Sequence, residues 1–365
     1  MNRLPVPTTI HWHGVVLPNG EDGVAGQTQD AVRPGHTYTY RFIARDAGTY
    51  WYHAHQDSLT QVGRGLFGAL VVAPASPAPH DDVDVALALH GWHTNKGDVL
   101  AVNGAAGVPR IKARPGAWVR LRFINTDIGI HAATLAGAPF TVAALDGHDL
   151  HGPRPLAGTL LPIDAGQRYD VRFRVPARGA PGWAVAVRVA DDGRPDASLA
   201  LRTAVVVGPG APPAHPGAPR ARFDFSTYGA PEAPRPGTLT PRTRVDASYT
   251  LRLGAASGFG LMQPGVRFTI NGQTSPHTDP SIVRQGEVVR LRVVNESRFI
   301  HPMHLHGHTL TVLARRPAAA RQPGQPRHAQ CAAGRVVRRG VPGGQSRHLD
   351  AALPQPVTMP GTAWV

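Results

Sequence analysis

The chain has 365 residues, with 41 Gly, 36 Pro, one Cys and a formal charge of +14 at pH 7, and at about 100–200 residues per domain that length predicts two or three domains. A single Cys excludes an internal disulfide framework, no run of about 18 apolar residues offers a membrane span, and abundant Gly and Pro argue against helical bundles. The charge raises nucleic acid as a partner, but residues 315–365 carry eight Arg against one Asp, which is half of the excess, and the rest is spread thinly, so no nucleic-acid partner is expected.

Met1-Asn2-Arg3-Leu4-Pro5 has no apolar signal core, so no export signal is read there. Strands are predicted over 36–44, 66–73, 118–125, 169–175 and 288–295, where apolar and polar residues mostly alternate at period two. Gly, Pro and Asp-Gly turns such as Asp146-Gly147 punctuate them, and no long amphipathic helix is evident. The expectation is an all-β protein with antiparallel sheets stacked as sandwiches or closed as barrels. Pro-rich stretches at 74–79, 208–219 and 231–236 read as linkers.

An internal repeat divides the chain further. From 125 to 144, one segment aligns with a later one at a constant offset of 170, so that Asn125 faces Asn295, His131 faces His301, and Thr134 and Ala136 face His304 and His306. Each Asn has an Asn-Gly upstream, Asn103-Gly104 and Asn271-Gly272. Asn2 joins the register, since it precedes His11-Trp12-His13-Gly14 by the nine residues that separate Asn295 from His304-Leu305-His306-Gly307. Three copies of one β-unit are predicted: 1–77, whose first strands are expected to be missing because Asn2 matches a point well inside the other copies; 78–214; and, after a linker at 215–240, a partial third at 241–314. At Arg315 the alternation stops, and 315–365 has no Phe, Tyr or Ile. That composition is expected to stay disordered, and a reading-frame change near Arg315 is the favoured explanation over a genuine basic tail; the gene sequence there would decide between them.

Three histidine clusters stand out: His11-Trp12-His13, His53-Ala54-His55 and His301-Pro302-Met303-His304-Leu305-His306-Gly307-His308. Residues i and i+2 of a strand share a face, so a His-X-His strand presents two imidazoles side by side, and imidazole is a common ligand for copper, zinc, iron and nickel. One such pair is usually structural. Two pairs at equivalent positions of a repeat, plus a third, point to a shared metal site. The histidines His36, His80, His90, His93, His148, His151, His215, His277 and His308 are read as surface or structural, and His131 as vestigial or hydrogen-bonding rather than ligating.

These clusters, in this order and spacing, resemble the multicopper oxidases, laccase-like enzymes of three cupredoxin-like Greek-key β-sandwich domains. The likeness runs from residue 2 to about 314 and includes Gly65-Leu66-Phe67-Gly68-Ala69-Leu70, Ala144-Leu145-Asp146-Gly147 and Gly166-Gln167-Arg168-Tyr169-Asp170. The resemblance implies copper as cofactor, with His11 and His304 on the type 2 ion, His13, His53, His55 and His306 on the type 3 pair, His301 on the type 1 ion, and Asp22 in proton delivery. It implies one-electron oxidation of phenols, aromatic amines or metal ions coupled to reduction of O₂ to water, in a secreted or cell-envelope setting. The departure is chemical: the family's His-Cys-His, whose thiolate binds the type 1 copper, is absent, and the one Cys, Cys331, has Gln330 and Ala332 beside it. The chain as it stands is therefore expected to be inactive. A non-catalytic copper-binding cupredoxin protein and, more distantly, a copper nitrite reductase stay open as alternatives.

Overall fold

The computed structural model describes residues 1–76, 81–95, 97–105, 107–177, 184–191, 200–233, 237–260, 263–274, 277–284, 286–297, 299–316, 330–332 and 348–349. The first region is a three-stranded sheet of β1 (Ile10–His13), β2 (Gly48–Ala54) and β3 (Phe67–Val72) in that order, with a short helix α1 (Ser58–Gly63) between the last two. The middle region supplies β4 (Val83–Thr94), β5 (Gly97–Val102), β6 (Arg110–Ile111), β7 (Trp118–Asn125), β8 (His131–Ala136), β9 (Phe140–Leu145), β10 (His148–Asp149), β11 (Thr159–Ile163), β12 (Arg168–Arg174), β13 (Val185–Asp191), β14 (Arg202–Val207) and β15 (Ala221–Arg222). They form two six-stranded sheets, β10-β9-β12-β7-β4-β5 and β15-β11-β8-β13-β14-β6. The third region contributes β16 (Ala247–Gly260), β17 (Gln263–Ile270), β18 (Ser281–Ile282), β19 (Val289–Asn295), β20 (Ala314–Arg316), β21 (Gln330–Ala332) and β22 (His348–Leu349), mostly in a five-stranded sheet β17-β16-β19-β21-β20. The architecture is all-β, as expected. No helix of the described residues is long and apolar enough to cross a membrane.

The middle region shows why period-two patterning builds a core. Val119, Leu121 and Phe123 alternate along β7 and are fully buried, facing Ala133, Leu161, Val185 and Val187 of the opposite sheet. In the third region the corresponding cluster among the described residues is Leu253, Ile270 and Val293, with half-buried Leu251 and Met303 packed against it.

The repeat is visible in side-chain chemistry. Asn2, Asn125 and Asn295 each donate from Nδ2 to the carbonyl four residues on, at 2.9, 2.8 and 2.7 Å. Each also accepts at Oδ1 from the backbone N–H two residues on, at 2.9 Å in all three, an Asx turn that ends the incoming strand. Upstream, Asn103 and Asn271 both lie at positive φ, 50° and 53°, in the Asn-Gly turns of two equivalent hairpins. Each side chain accepts the backbone N–H of the preceding strand, from Ala88 and from Arg252.

Two expectations need correction. The sheets are mixed, not antiparallel: β4 runs parallel to β7, and β16 to β19. After the β4–β5 hairpin the chain crosses to the opposite sheet at β6 before β7 returns beside β4, and such a crossover yields a parallel neighbour. The strand expected over 36–44 does not form, and this segment joins no ladder among the described residues. Its start matches the middle region closely, because Asn2 exchanges backbone hydrogen bonds with Gly35 and His36 as Asn125 does with Gly166 and Gln167. There, however, β12 lies between β7 and β9, and neither neighbour has a counterpart beside 36–44 among the described residues. The other four expected strands form, as β3, β7, β12 and β19. Of 315–365, only 315–316, 330–332 and 348–349 are among the described residues, in short strands; the expected disorder of the remainder, and residues 77–79 and 234–236 of the expected linkers, lie outside them.

Candidate metal centre

The centre begins with the antiparallel pairing of β1 and β2, which sets His11 directly opposite His53 and His13 opposite Trp51. Directly opposed residues share a face, and so do His11 and His13 two apart. One short ladder therefore gathers three imidazoles. His55 follows, its N–H bonded to the carbonyl of Thr9 at 3.2 Å, and its ring lies 5.4 Å from that of His11.

The third region completes the cluster. Residues 301–308 form no strand, and they carry His304 and His306 onto the first region. The His304 ring stacks on His13 at 3.8 Å with an interplanar angle of 11°, and the His306 ring lies 4.1 Å from His11 and 5.0 Å from His55. Ring nitrogens now face one another: Nε2 of His11 is 3.2 Å from Nε2 of His304, and Nδ1 of His13 is 3.4 Å from Nε2 of His53. Two imidazole lone pairs aimed together at such distances need a proton or a metal ion between them. Among the described residues, two overlapping groups that share His11 have their ligand atoms close enough to hold an ion: His11, His13 and His53; and His11, His304 and His306.

Burial prepares these rings as ligands. It pushes His13, His55 and His304 well below the ordinary imidazole range, with neighbouring imidazoles adding to the effect, and takes His53 to about 3. His306 is lowered too, by burial and His11, against the opposing pull of Asp22. Neutral imidazole is the form that binds metal.

Asp22 holds the two halves together. Gly23 behind it sits at φ 78°, where a Cβ would strike the Ile10 carbonyl, and this tight turn lays Asp22 against β1. The His11 Nδ1 lies 2.8 Å from the Asp22 carbonyl and 3.2 Å from its Oδ1, and the His306 Nδ1 lies 3.0 Å from Oδ2. Burial would raise this carboxyl, but the hydrogen bonds from His11 and His306 outweigh it and hold it well below the usual carboxylate range. With Nδ1 of both rings so engaged, Nε2 is left for a metal. His53 is set likewise, its Nδ1 2.9 Å from the Ala54 carbonyl.

Of the seven histidines singled out, six converge and His301 stands apart. Its Nε2 lies 2.6 Å from the Ser297 hydroxyl, its Nδ1 is buried without a hydrogen-bond partner, and burial lowers its pKa to about 4. His131 occupies the matching place in the middle region, and its Nε2 bonds Asp127 at 3.2 Å, as the hydrogen-bonding reading anticipated. His36, His93, His148, His151, His215 and His277 are exposed, His90 is buried in a structural setting, and His80 lies outside the described residues. Sequence reading missed the orienting contact of Asp22 with His306, 284 residues away, and the role of Ser297, which its match to Asp127 at offset 170 would have signalled.

Residues 1–77 and 246–345 each match a sequence family described as multicopper oxidase, the second match continuing past Ala314 where the internal repeat breaks. Multicopper oxidase MmcO of Mycobacterium tuberculosis is 30% identical over 86% of this chain and 67% of its own length. Laccase-7 of Oryza sativa is 25% identical over 86% of the chain and 71% of its own length. Among solved structures, a multi-copper oxidase from Pseudomonas thermotolerans superposes with a TM-score of 0.66 at 26% identity, over 92% of this chain and 81% of that one. The repeat, the fold and the convergent imidazoles agree with these likenesses, and the chain belongs to the multicopper oxidase family.

Proposed function

We propose that the chain is a laccase-like oxidase by descent whose histidine centre holds copper, and that in its present form it lacks the entry point for electrons from a reducing substrate. What carries the reading is the convergence of six buried or half-buried imidazoles from three separate segments, five of them held toward the neutral form by burial, with ring nitrogens nose to nose. An all-nitrogen donor set suits copper, and neutral lone pairs are the form such an ion needs. His11 and His304 are assigned to a type 2 ion, His13, His53, His55 and His306 to a type 3 pair, and His301 to a type 1 ion through its unpartnered Nδ1. Copper held there supplies one-electron chemistry linking oxidation of phenols, aromatic amines or metal ions to reduction of O₂. Asp22 keeps the Nδ1 protons of His11 and His306 in place and is the residue assigned to hand protons toward O₂. We read domains at 1–77, 78–214 and 241–314 and an extracytoplasmic setting as parts of the same proposal.

Electron entry is where the chain departs from the family. The family's soft thiolate sits between two histidines, whereas Cys331 sits between Gln330 and Ala332, so this chain is proposed to give no blue thiolate absorption and no laccase turnover. That same absence favours a second reading, a copper-binding protein without oxidase activity. The test is to load the full chain with Cu(II) and measure retained copper, visible absorption and O₂ uptake with a phenol. The expected result is retained copper, no blue band and no O₂ uptake, with retention weakened at least about tenfold in His304→Ala, the lower end of what disturbing a metal site costs. A native chain that retains no copper sinks the first half of the proposal, and a blue band or turnover sinks the second.

A further inference from the structure

We propose that Arg168, at the start of β12 in the middle region, is a positioning residue for the histidine centre, fastening from behind the two strands that carry His13 and His53. The inference rests on the copper reading only for its metal readout.

Arg168 is 4% exposed, and its guanidinium is used in several directions. Nη1 donates to the Gly166 carbonyl at 3.0 Å and Nη2 to the Asp146 carbonyl at 3.0 Å, and these fix the head within its own region. Nε donates across to the Thr49 carbonyl at 3.2 Å, and the guanidinium carbon lies 5.9 Å from the centre of the Tyr50 ring. Thr49 and Tyr50 stand on β2 a few residues before His53. The far side of the fork lies against the turn that leaves β1: Gly14 lies at φ 85°, and a Cβ there would collide with Nη2. Gly14 directly follows His13, so the guanidinium occupies the space that a side chain on that residue would take. Arg168 also lies near enough to disfavour protonation of His13 and His304, whose rings stack on each other.

Neighbouring side chains reinforce the clasp. The Thr49 hydroxyl donates to Asp170 Oδ1 at 2.6 Å, and Asp170 in turn accepts from Arg122 at 2.8 Å. Arg168 itself reaches both arms of the histidine ladder, at Thr49 and Tyr50 on β2 and at Gly14, the residue that follows β1. Lysine could keep the charge but not the planar fork that makes these bonds together. The middle region carries no histidine of the centre, and the inference gives it a part in the site: it sets the angle at which β1 and β2 present their imidazoles.

The experiment uses the full chain with Arg168→Met, Arg168→Lys and, as control, Arg172→Met, which lies on the same strand but faces Asp81 and Trp118. In the metal-free protein, amide hydrogen exchange at residues 11–14 and 51–55 is expected to quicken at least about tenfold in both Arg168 variants and stay unchanged in the control. Cu(II) affinity, measured by chelator competition, is expected to fall about 10- to 100-fold in the same two variants, the range known for residues that orient metal ligands. Arg168→Lys keeps a buried cation in place, so a failure of Arg168→Met to fold does not stop the test. Native exchange at these amides in Arg168→Lys overturns the proposal, as does equal loosening by Arg172→Met. If the native chain binds no Cu(II), the copper reading fails on its own and the exchange data still decide the role of Arg168.

Discussion

The middle and third regions are copies of one unit at an offset of 170 residues, and they have been put to opposite uses. In the middle region the segment His131–Ala136 is β8, buried between β11 and β13. In the third region the matching segment, 301–306, joins no ladder and sends His304 and His306 across to the first region. Thr134, which stands where His304 stands, is buried in the middle region's own sandwich instead, and Ala136, in the place of His306, is half-buried at the end of β8. The middle copy thus makes core from the residues with which the third makes a site. A sandwich needs a buried strand at that place, whereas a shared metal centre needs imidazoles that leave their own unit.

That contrast predicts unequal stability. Phe123 is fully buried between two complete sheets, so Phe123→Ala is expected to destabilise by about 3–5 kcal/mol. Leu253 belongs to a cluster whose buried partners among the described residues are Ile270 and Val293, so Leu253→Ala should fall at or below the low end of the usual range, about 2 kcal/mol. Denaturant melts of both variants give the comparison, which breaks if Leu253→Ala costs as much as Phe123→Ala.

Acid should separate the regions next. A histidine whose folded pKa is depressed stays neutral in the fold, while the unfolded chain takes up a proton below about 6.5. Its stabilising contribution is therefore present above 6.5 and drains away as the pH falls toward the folded value, about 3 for His53. His13, His55, His304 and His306 share that direction, whereas the middle region has His90 in this window and Asp127, lowered to about 2 chiefly by His131 against the opposing effect of burial, in a lower one. In the metal-free chain, each proton taken up on unfolding contributes a slope of about 1.4 kcal/mol per pH unit. Between pH 6.5 and 5, hydrogen exchange should report loosening at 11–14 and 51–55 before β7 and β12 respond. Simultaneous loss in all of these strands would erase the distinction.

The repeat explains which features could be read without coordinates. The Asn-Gly turns at 103 and 271 and the Asn residues at 2, 125 and 295 impose local geometry by themselves, so their spacing carried over into matching hydrogen bonds. The His-X-His pairs were legible for the same reason, since a strand fixes which residues share a face. Pairings between distant segments were not legible. The parallel partnership of β4 with β7 depends on where the chain crosses between sheets, and 36–44 has a good strand pattern but no neighbours to complete a ladder. Arg168 also escaped notice as a positioning group, because one motif residue gives no hint that a glycine 154 positions earlier leaves room for it.

The smallest expected effect tests the equivalence of His131 and His301 most directly. Each ring is tethered at Nε2 by the side chain four residues before it, Asp127 in one copy and Ser297 in the other, and each has a buried Nδ1 with no hydrogen-bond partner. The tethers differ in what else they do. Asp127 also accepts the Gly91 backbone N–H at 3.0 Å and that of Ile128 at 2.7 Å, so Asp127→Ala leaves several buried groups unpaired and should cost about 1–3 kcal/mol. Ser297 holds His301 at 2.6 Å within its own Asx turn, and Ser297→Ala should cost about 1 kcal/mol or less. The informative readout is the imidazole itself. In NMR titrations of the metal-free chain, loss of the serine should free the His301 ring to turn and move its pKa from about 4 toward the ordinary value, because burial alone lowers it. If His301 keeps its low pKa and fixed ring in Ser297→Ala, the ring is held by packing against Phe268, 5.3 Å away, and the tether is incidental. In that event the third region keeps His301 in place by the means the middle region uses for its core, and the division between the two copies is narrower than their strands suggest.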